Sequence, residues 1–140
     1  MRELNLIDKA FFLKKTRLFA TLDLDILLSI ADKMEMTHFR PFDPIFSPEQ
    51  EAHRMYFIIN GHVVISDRTG SKLAELLPGD FFGDESLFNE KQRAYSAVCK
   101  TKVELLSLPR SHLLSIINEC PAVAISLLEC YASTLSFRAR

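Results

Sequence analysis

Apolar residues recur at helical spacing near both ends of the 140-residue chain and at strand spacing in its middle. The first flank, residues 1–35, is predicted to form leading helices, with Asp23 as the N-cap of the second one. The last flank, residues 110–140, is predicted to form closing helices, and Pro121 suits the first position of the final one. Since all four glycines lie between these flanks, strands and tight turns are expected in residues 36–109.

Short β-forming runs fill this central block, separated by turn residues. We predict about eight antiparallel strands, with Pro44 confined to an edge strand because proline cannot donate a hydrogen bond to a sheet. Asn60-Gly61 predicts a β-hairpin whose two strands pair with each other, and Thr69-Gly70 predicts a second hairpin. The pattern indicates a mainly β fold with flanking helices, an antiparallel and jelly-roll-like β-roll between N-terminal and C-terminal α-helices.

The balance of charge restricts the possible partners. Apolar residues make up 48% of the chain and the net charge is −1, as in an ordinary globular protein. Nucleic acids and anionic membranes attract an excess of Lys and Arg, so neither DNA nor a membrane is expected as a partner. No apolar run approaches the roughly 20 residues that span a bilayer, and the N-terminus lacks a signal-peptide pattern, which predicts a cytoplasmic location.

The chemistry-bearing residues give no sign of catalysis. Three cysteines without a close pair argue against a disulfide framework or a zinc knuckle. The four histidines are scattered, and no nucleophile motif accompanies them. Asp84 and Glu85 are neighbours that do not share a face, and a divalent metal needs more oxygen ligands. We therefore expect a single domain over residues 1–140, with no enzyme activity, metal or cofactor.

One segment, residues 79–98, does not fit an ordinary hairpin. Gly83 follows two phenylalanines, a short helical turn can begin at Glu85, and Arg93 precedes the next strand. Unpaired N–H groups at the start of a helical turn attract an anion, and glycine lets the backbone approach a ligand closely. A guanidinium offers two parallel donors to a phosphate, and the Asp84 carboxylate needs a donor such as a sugar hydroxyl. The segment is therefore a candidate anion-binding loop.

This segment resembles the phosphate-binding cassette of cyclic nucleotide-binding domains, whose pattern is Phe-Gly-Glu and, after a short linker, Pro-Arg-Ala. The spacing from Gly83 to Arg93 is similar to that in the regulatory subunits of cyclic AMP-dependent kinase. The resemblance covers nearly the whole chain, including residues 41–46 and 55–61. It implies a stand-alone domain of the bacterial catabolite-activator type that binds a cyclic nucleotide, cyclic AMP rather than cyclic GMP.

The resemblance also implies which residues bind the ligand. Arg93 stands at the phosphate-binding arginine and is expected at the mouth of the pocket, where it contributes little to the core. Asp84 stands at the ribose-binding glutamate, and Ser96 stands where a threonine touches guanine in some members. Tyr131 in the final helix either caps the base or packs in the core. The implied set is Gly83, Asp84, Glu85, Ser86, Arg93, Ala94 and Ser96; the amides of Gly83, Ser86 and Ala94 face the phosphate or sugar.

Three departures from the family pattern leave a second interpretation open. Asp84 is shorter than glutamate, Glu85 adds a carboxylate at a usually apolar position, and Gln92 replaces a proline. Arg93 could then pair with one of these carboxylates in an empty pocket. Such a chain would be a degenerate member that binds no nucleotide and acts as a protein-interaction domain. A further family glycine is replaced by Glu49.

Signalling is implied by the resemblance as well. Binding at the cassette would bias the closing helices between two positions, to the extent that the ligand prefers one of them. The catabolite-activator family carries a helix-turn-helix domain after its last helix, whereas this sequence stops at Arg140. We therefore expect output through an unknown protein partner or a homodimer, or a role as the sensing part of a larger assembly.

Overall fold

The computed structural model describes residues 3–89 and 92–134. Within these residues it contains eight strands and five helices. The strands are β1 (Glu35–Phe39), β2 (Pro44–Phe46), β3 (Arg54–Asn60), β4 (Val63–Ser66), β5 (Lys72–Leu76), β6 (Phe81–Phe82), β7 (Ser96–Cys99) and β8 (Val103–Pro109). The helices are α1 (Leu6–Lys15), α2 (Leu24–Ala31), α3 (Glu85–Asn89), α4 (Arg110–Glu119) and α5 (Pro121–Ser133).

The strands form two four-stranded sheets, ordered β1-β8-β3-β6 and β2-β7-β4-β5, in which every pairing is antiparallel. Alternate residues of β4 and β7 are buried, as expected of strands that turn one face to the core. Both sheets contribute to one apolar cluster, with Ile58 and Leu105 from the first and Val63 and Ala97 from the second. The predicted mainly β fold with helices before and after the roll is confirmed.

The two predicted hairpins have different outcomes. Thr69-Gly70 joins β4 to β5, which pair in antiparallel register, so this hairpin is confirmed. The hairpin at Asn60-Gly61 is wrong, because β3 pairs with β8 and β6 whereas β4 pairs with β5 and β7. Gly61 has a φ of +95°, and a Cβ there would clash with the backbone carbonyl oxygen of Lys102. The turn carries the chain from one sheet to the other, and long-range pairing overrides the local signal.

The loops around β2 contain two residues whose backbone conformation favours glycine. Phe42 has a φ of 69° and Glu49 a φ of 73°, although residues with a Cβ disfavour this region. The loss of a family glycine at Glu49 therefore strains the loop that follows β2. Pro44 lies in β2 at the edge of its sheet, as predicted.

The described residues divide into two compact units, one holding the strands, α3 and Arg110, and the other holding α1, α2, the rest of α4 and α5. In the second unit, the Asn5 side chain caps α1 by accepting from the Asp8 N–H at 2.8 Å. Helix α2 begins after Asp23 as predicted, but that side chain makes no capping hydrogen bond. Helix α5 begins at Pro121, also as predicted. That the chain is one domain over residues 1–140 stays a prediction.

The described helices are short compared with the thickness of a bilayer. No single one is long and apolar enough to cross a membrane. Helices α4 and α5 reach that length and composition only as a pair, which is bent by 111° at its break.

Candidate ligand-binding site

The predicted cassette forms the connection between β6 and β7. Gly83 follows β6 with a φ of +80°, and α3 begins at Glu85, where a helical turn was expected. The Leu87 N–H donates to the Asp84 carbonyl at 3.0 Å and closes the turn. Nε of Arg110 donates to the Leu87 carbonyl at 2.6 Å. The turn is therefore held by the side chain of the residue that directly follows β8.

Arg93 lies inside the protein, with 3% of its surface exposed. Its Nη1 donates to the Gly83 carbonyl and its Nη2 to the Arg54 carbonyl, each at 2.5 Å. The guanidinium also lies over the Phe46 ring, with Cζ 4.2 Å from the ring centroid. The expectation of an arginine at the pocket mouth is wrong, because two backbone carbonyls and an aromatic ring enclose the charge. Arg93 therefore contributes to the core as well as to the site.

The loop after β2 holds the main chain on both sides of Arg93. The Arg93 N–H donates to the Gln50 carbonyl, and the Glu49 N–H donates to the Arg93 carbonyl, both at 2.8 Å. Glu51 and Gln92 form an isolated antiparallel bridge next to these bonds. The backbone at Arg93 is thus fixed by pairing, although Gln92 stands where the family has proline.

Tyr95 is a site residue that the sequence reasoning missed. Its Oη accepts a hydrogen bond from the Gly83 N–H at 3.0 Å and donates one to Glu85 Oε2 at 2.8 Å. Its ring centroid lies 5.5 Å from that of Phe46. An aromatic residue between the arginine and the next strand was the available signal. Nothing local in the sequence shows that its hydroxyl returns to Gly83.

The electrostatics of the site keep the buried groups in their ordinary protonation states. Burial lowers the pKa of Arg93, and the negative charges of Glu85 and Asp84 only partly offset this effect. An arginine stays charged across the physiological range. Burial, aided by the charge of Glu85, raises the pKa of Tyr95, so its hydroxyl stays protonated and able to donate.

Two further predicted residues are buried in the same loop. Asp84 is 2% exposed and Ser86 is 6% exposed. Ser86 Oγ lies 3.5 Å from the Gln92 carbonyl oxygen, to which it donates. The loop therefore brings together five of the predicted residues, Gly83, Asp84, Glu85, Ser86 and Arg93. Their contact with a ligand stays a prediction.

The remaining predicted residues lie further along the chain. Ala94 is exposed, and Ser96 begins β7, where its Oγ donates to the Ser66 carbonyl at 3.4 Å. Tyr131 lies in α5, in the other compact unit, and is half-buried; its role as a base cap stays a prediction. Among the residues that the structure describes, no group of three His, Cys, Asp or Glu side chains could hold a metal ion.

The structure thus combines an antiparallel roll with a buried arginine bonded to a glycine-containing loop. The family model of the cyclic nucleotide-binding domain matches residues 36–120. This span includes the cassette, α4 and all eight strands, except for the first residue of β1. That span is more than half of the chain. The chain therefore belongs to the cyclic nucleotide-binding domain family.

Relatives of this chain include regulators from bacteria and protozoa. It is 28% identical to the CRP-like cAMP-activated global transcriptional regulator of Mycobacterium tuberculosis, over 88% of this chain and 57% of the relative. The catabolite activator protein of Thermus thermophilus matches with a TM-score of 0.79 at 30% identity, over 86% of this chain and 59% of that one. The regulatory subunit of a cAMP-independent protein kinase A from Trypanosoma cruzi, bound to guanosine, matches with a TM-score of 0.75 at 25% identity. This match covers 86% of this chain and 44% of that one. The chain spans about half the length of these relatives.

Proposed function

We propose that the domain reversibly binds a cyclic nucleotide, cyclic AMP in preference to cyclic GMP, at the loop between Gly83 and Arg93. One observation carries the proposal: the buried Arg93 guanidinium is bonded to the Gly83 carbonyl, which fixes a positive charge against this loop. The M. tuberculosis relative is named as cAMP-activated, which supports the choice of ligand.

In this proposal, Arg93 provides the charge that the phosphate requires. A cyclic phosphate carries one negative charge, and moving it from water into a partly closed pocket is costly unless a charged donor meets it. A guanidinium has five N–H donors, so Arg93 can bond a phosphate while it keeps a backbone carbonyl. The Asp84 carboxylate accepts from a ribose hydroxyl, and the backbone amides of Ser86 and Ala94 complete the polar contacts.

We propose further that binding is read out through α4 and α5 by a protein partner or a second copy of the chain, in the cytoplasm and without catalysis. The relatives described above are regulators by name, which supports a regulatory role. A switch of this kind operates only as far as the ligand prefers one arrangement of the helices.

Isothermal titration calorimetry with cyclic AMP and cyclic GMP tests the proposal. Arg93→Lys keeps the charge but cannot make paired contacts, so we expect binding to weaken roughly ten-fold or more. The matched control is Arg68→Lys, because Arg68 is 60% exposed and pairs with Glu49 at 2.8 Å. The control should bind as the parent does. If Arg93→Lys also binds as the parent does, and circular dichroism shows that it is folded, the cassette is not the site.

A degenerate domain that binds no nucleotide is the second candidate. The guanidinium of Arg93 and the amide of Gly83 are both already bonded within the chain, which favours this candidate. The domain would then act as a protein-interaction module. In that case the parent gives no binding heat with either nucleotide.

A further inference from the structure

The backbone of Gly83 is held on both sides by side chains of the cassette. Its carbonyl accepts from Arg93 Nη1, and its N–H donates to Tyr95 Oη at 3.0 Å. Tyr95 Oη in turn donates to Glu85 Oε2 at 2.8 Å. A chain of two hydrogen bonds therefore connects the Gly83 amide to a carboxylate.

These two hydrogen bonds occupy a donor that the proposed ligand requires. The family resemblance assigns the Gly83 amide to the phosphate or sugar, and a backbone amide has one N–H to give. In the structure that N–H is bonded to Tyr95. The ligand must therefore replace the tyrosine hydroxyl before it can use the amide.

Glu85 opposes an anionic ligand through its charge. Its Oε2 accepts from Tyr95 Oη at 2.8 Å, and both Tyr95 and Arg93 are bonded to the Gly83 backbone, so this negative charge lies at the loop that holds the guanidinium. A negative charge at this position repels a phosphate that is drawn to the arginine. Glu85 is exposed, so the repulsion is partly screened by solvent and salt.

Burial strengthens the hydrogen bond between the Gly83 N–H and Tyr95. Gly83 is buried, and the Tyr95 ring is half-buried beside Phe46. A buried N–H without a hydrogen-bond partner costs its full desolvation penalty, so in the absence of ligand the amide keeps Tyr95 as its partner.

We propose that Tyr95 and Glu85 form an internal latch on the phosphate-binding loop, which lowers its affinity for a cyclic nucleotide and which the ligand opens. The latch rests on the proposed function, because it describes how that same site is regulated. Opening breaks the bond between Tyr95 and Gly83 and leaves the Glu85 carboxylate in solvent.

Two variants remove the two parts of the latch separately. Tyr95→Phe deletes the hydroxyl and keeps the packed ring, whereas Glu85→Gln keeps an acceptor oxygen and removes the charge. Each is expected to tighten cyclic AMP binding about three- to ten-fold, the effect of roughly one net hydrogen bond. The control is Glu51→Gln, which removes an exposed carboxylate beside the linker and should leave the affinity unchanged.

Hydrogen exchange at the Gly83 amide, followed by NMR in the ligand-free chain, gives a readout that needs no nucleotide. Tyr95→Phe should accelerate this exchange, because the amide loses its partner. Thermal melting checks that the loss of the hydroxyl leaves the roll folded. Unchanged exchange at Gly83 in a folded Tyr95→Phe chain overturns the latch.

Binding results separate the latch from the proposed function. If the parent binds and neither variant binds more tightly, the latch is overturned and the proposed function stands. If the parent does not bind cyclic AMP and the double variant with Tyr95→Phe and Glu85→Gln does, the latch is supported, and it then blocks binding completely in the parent. If neither the parent nor the double variant binds, both the proposed function and the latch fail.

Discussion

Two loops of the roll, the β4–β5 hairpin and the cassette, each turn at a glycine with positive φ, yet they are held in opposite ways. In the hairpin, the Asp67 side chain accepts hydrogen bonds from two backbone N–H groups and a hydroxyl within four residues. In the cassette, the backbone of Gly83 is held by side chains ten and twelve residues further along. The hairpin bonds are exposed, whereas Arg93 is 3% exposed.

The difference shows how a binding loop can be coupled to the stability of its fold. Exposed local bonds compete with water, so each contributes little to the free energy of unfolding. Buried bonds leave unsatisfied carbonyls when their donor is removed, and this costs more. In the cassette the donor is also the group proposed to bind the ligand, so its loss should affect folding and binding together.

The largest expected effect is that of Arg93→Ala. One buried and one partly buried carbonyl lose their donor and Phe46 loses its cation, so the free energy of unfolding should fall by about 2–4 kcal/mol. Urea denaturation measures this loss. The matched variant in the hairpin is Arg68→Ala, which breaks an exposed ion pair and should cost about 0–1 kcal/mol. Equal losses for the two arginines would show that Arg93 is not part of the core.

A smaller effect is expected when each loop glycine becomes alanine. Gly83 and Gly70 have φ of +80° and +90°, and alanine costs about 1–2 kcal/mol in such a conformation. A Cβ at Gly83 would lie 2.9 Å from Arg93 Nη1, whereas a Cβ at Gly70 meets nothing within 4 Å. Gly83→Ala should therefore lower the melting temperature more than Gly70→Ala and should also weaken cyclic AMP binding. If Gly70→Ala is the more damaging variant, the close approach to Arg93 does not matter.

The smallest effect concerns the hairpin carboxylate and depends on pH. A hydrogen bond from Thr69, followed by one from Ser71, lowers the pKa of Asp67. A lowered folded-state pKa stabilises the fold above the unfolded value and stops doing so as pH falls through the folded value. The melting-temperature difference between the parent and Asp67→Asn should therefore shrink below about pH 4. Over the same pH range, the melting-temperature difference between the parent and Arg93→Ala should persist, because a guanidinium does not titrate there.

The sequence predicted the structural features that depend on residues close together along the chain. Thr69-Gly70 encodes its hairpin locally, Pro44 marks an edge strand, and Pro121 marks the start of α5. Asn60-Gly61 carries an equally strong local signal, but the partners of β3 and β4 come from distant strands. Local propensity could not predict which sheet each strand would join.

The candidate site was predictable to the same extent. The spacing of Gly83 and Arg93 located the loop, and the short helix at Glu85 followed from it. The burial of Arg93 was not predictable, because it depends on the Arg54 carbonyl, 39 residues away in sequence. The role of Tyr95 was missed because its hydroxyl reaches back over twelve residues to Gly83. Both contacts arise from tertiary structure.

The most direct test of the account is an NMR titration of the isotopically labelled chain with cyclic AMP. It follows the guanidinium signals of Arg93 and the amide signal of Gly83 at once. The account predicts that both shift together and saturate at the same ligand concentration, while the amide of Gly70 in the hairpin does not move. Saturable binding that leaves Arg93 and Gly83 unchanged would contradict it, since the ligand would then occupy another site.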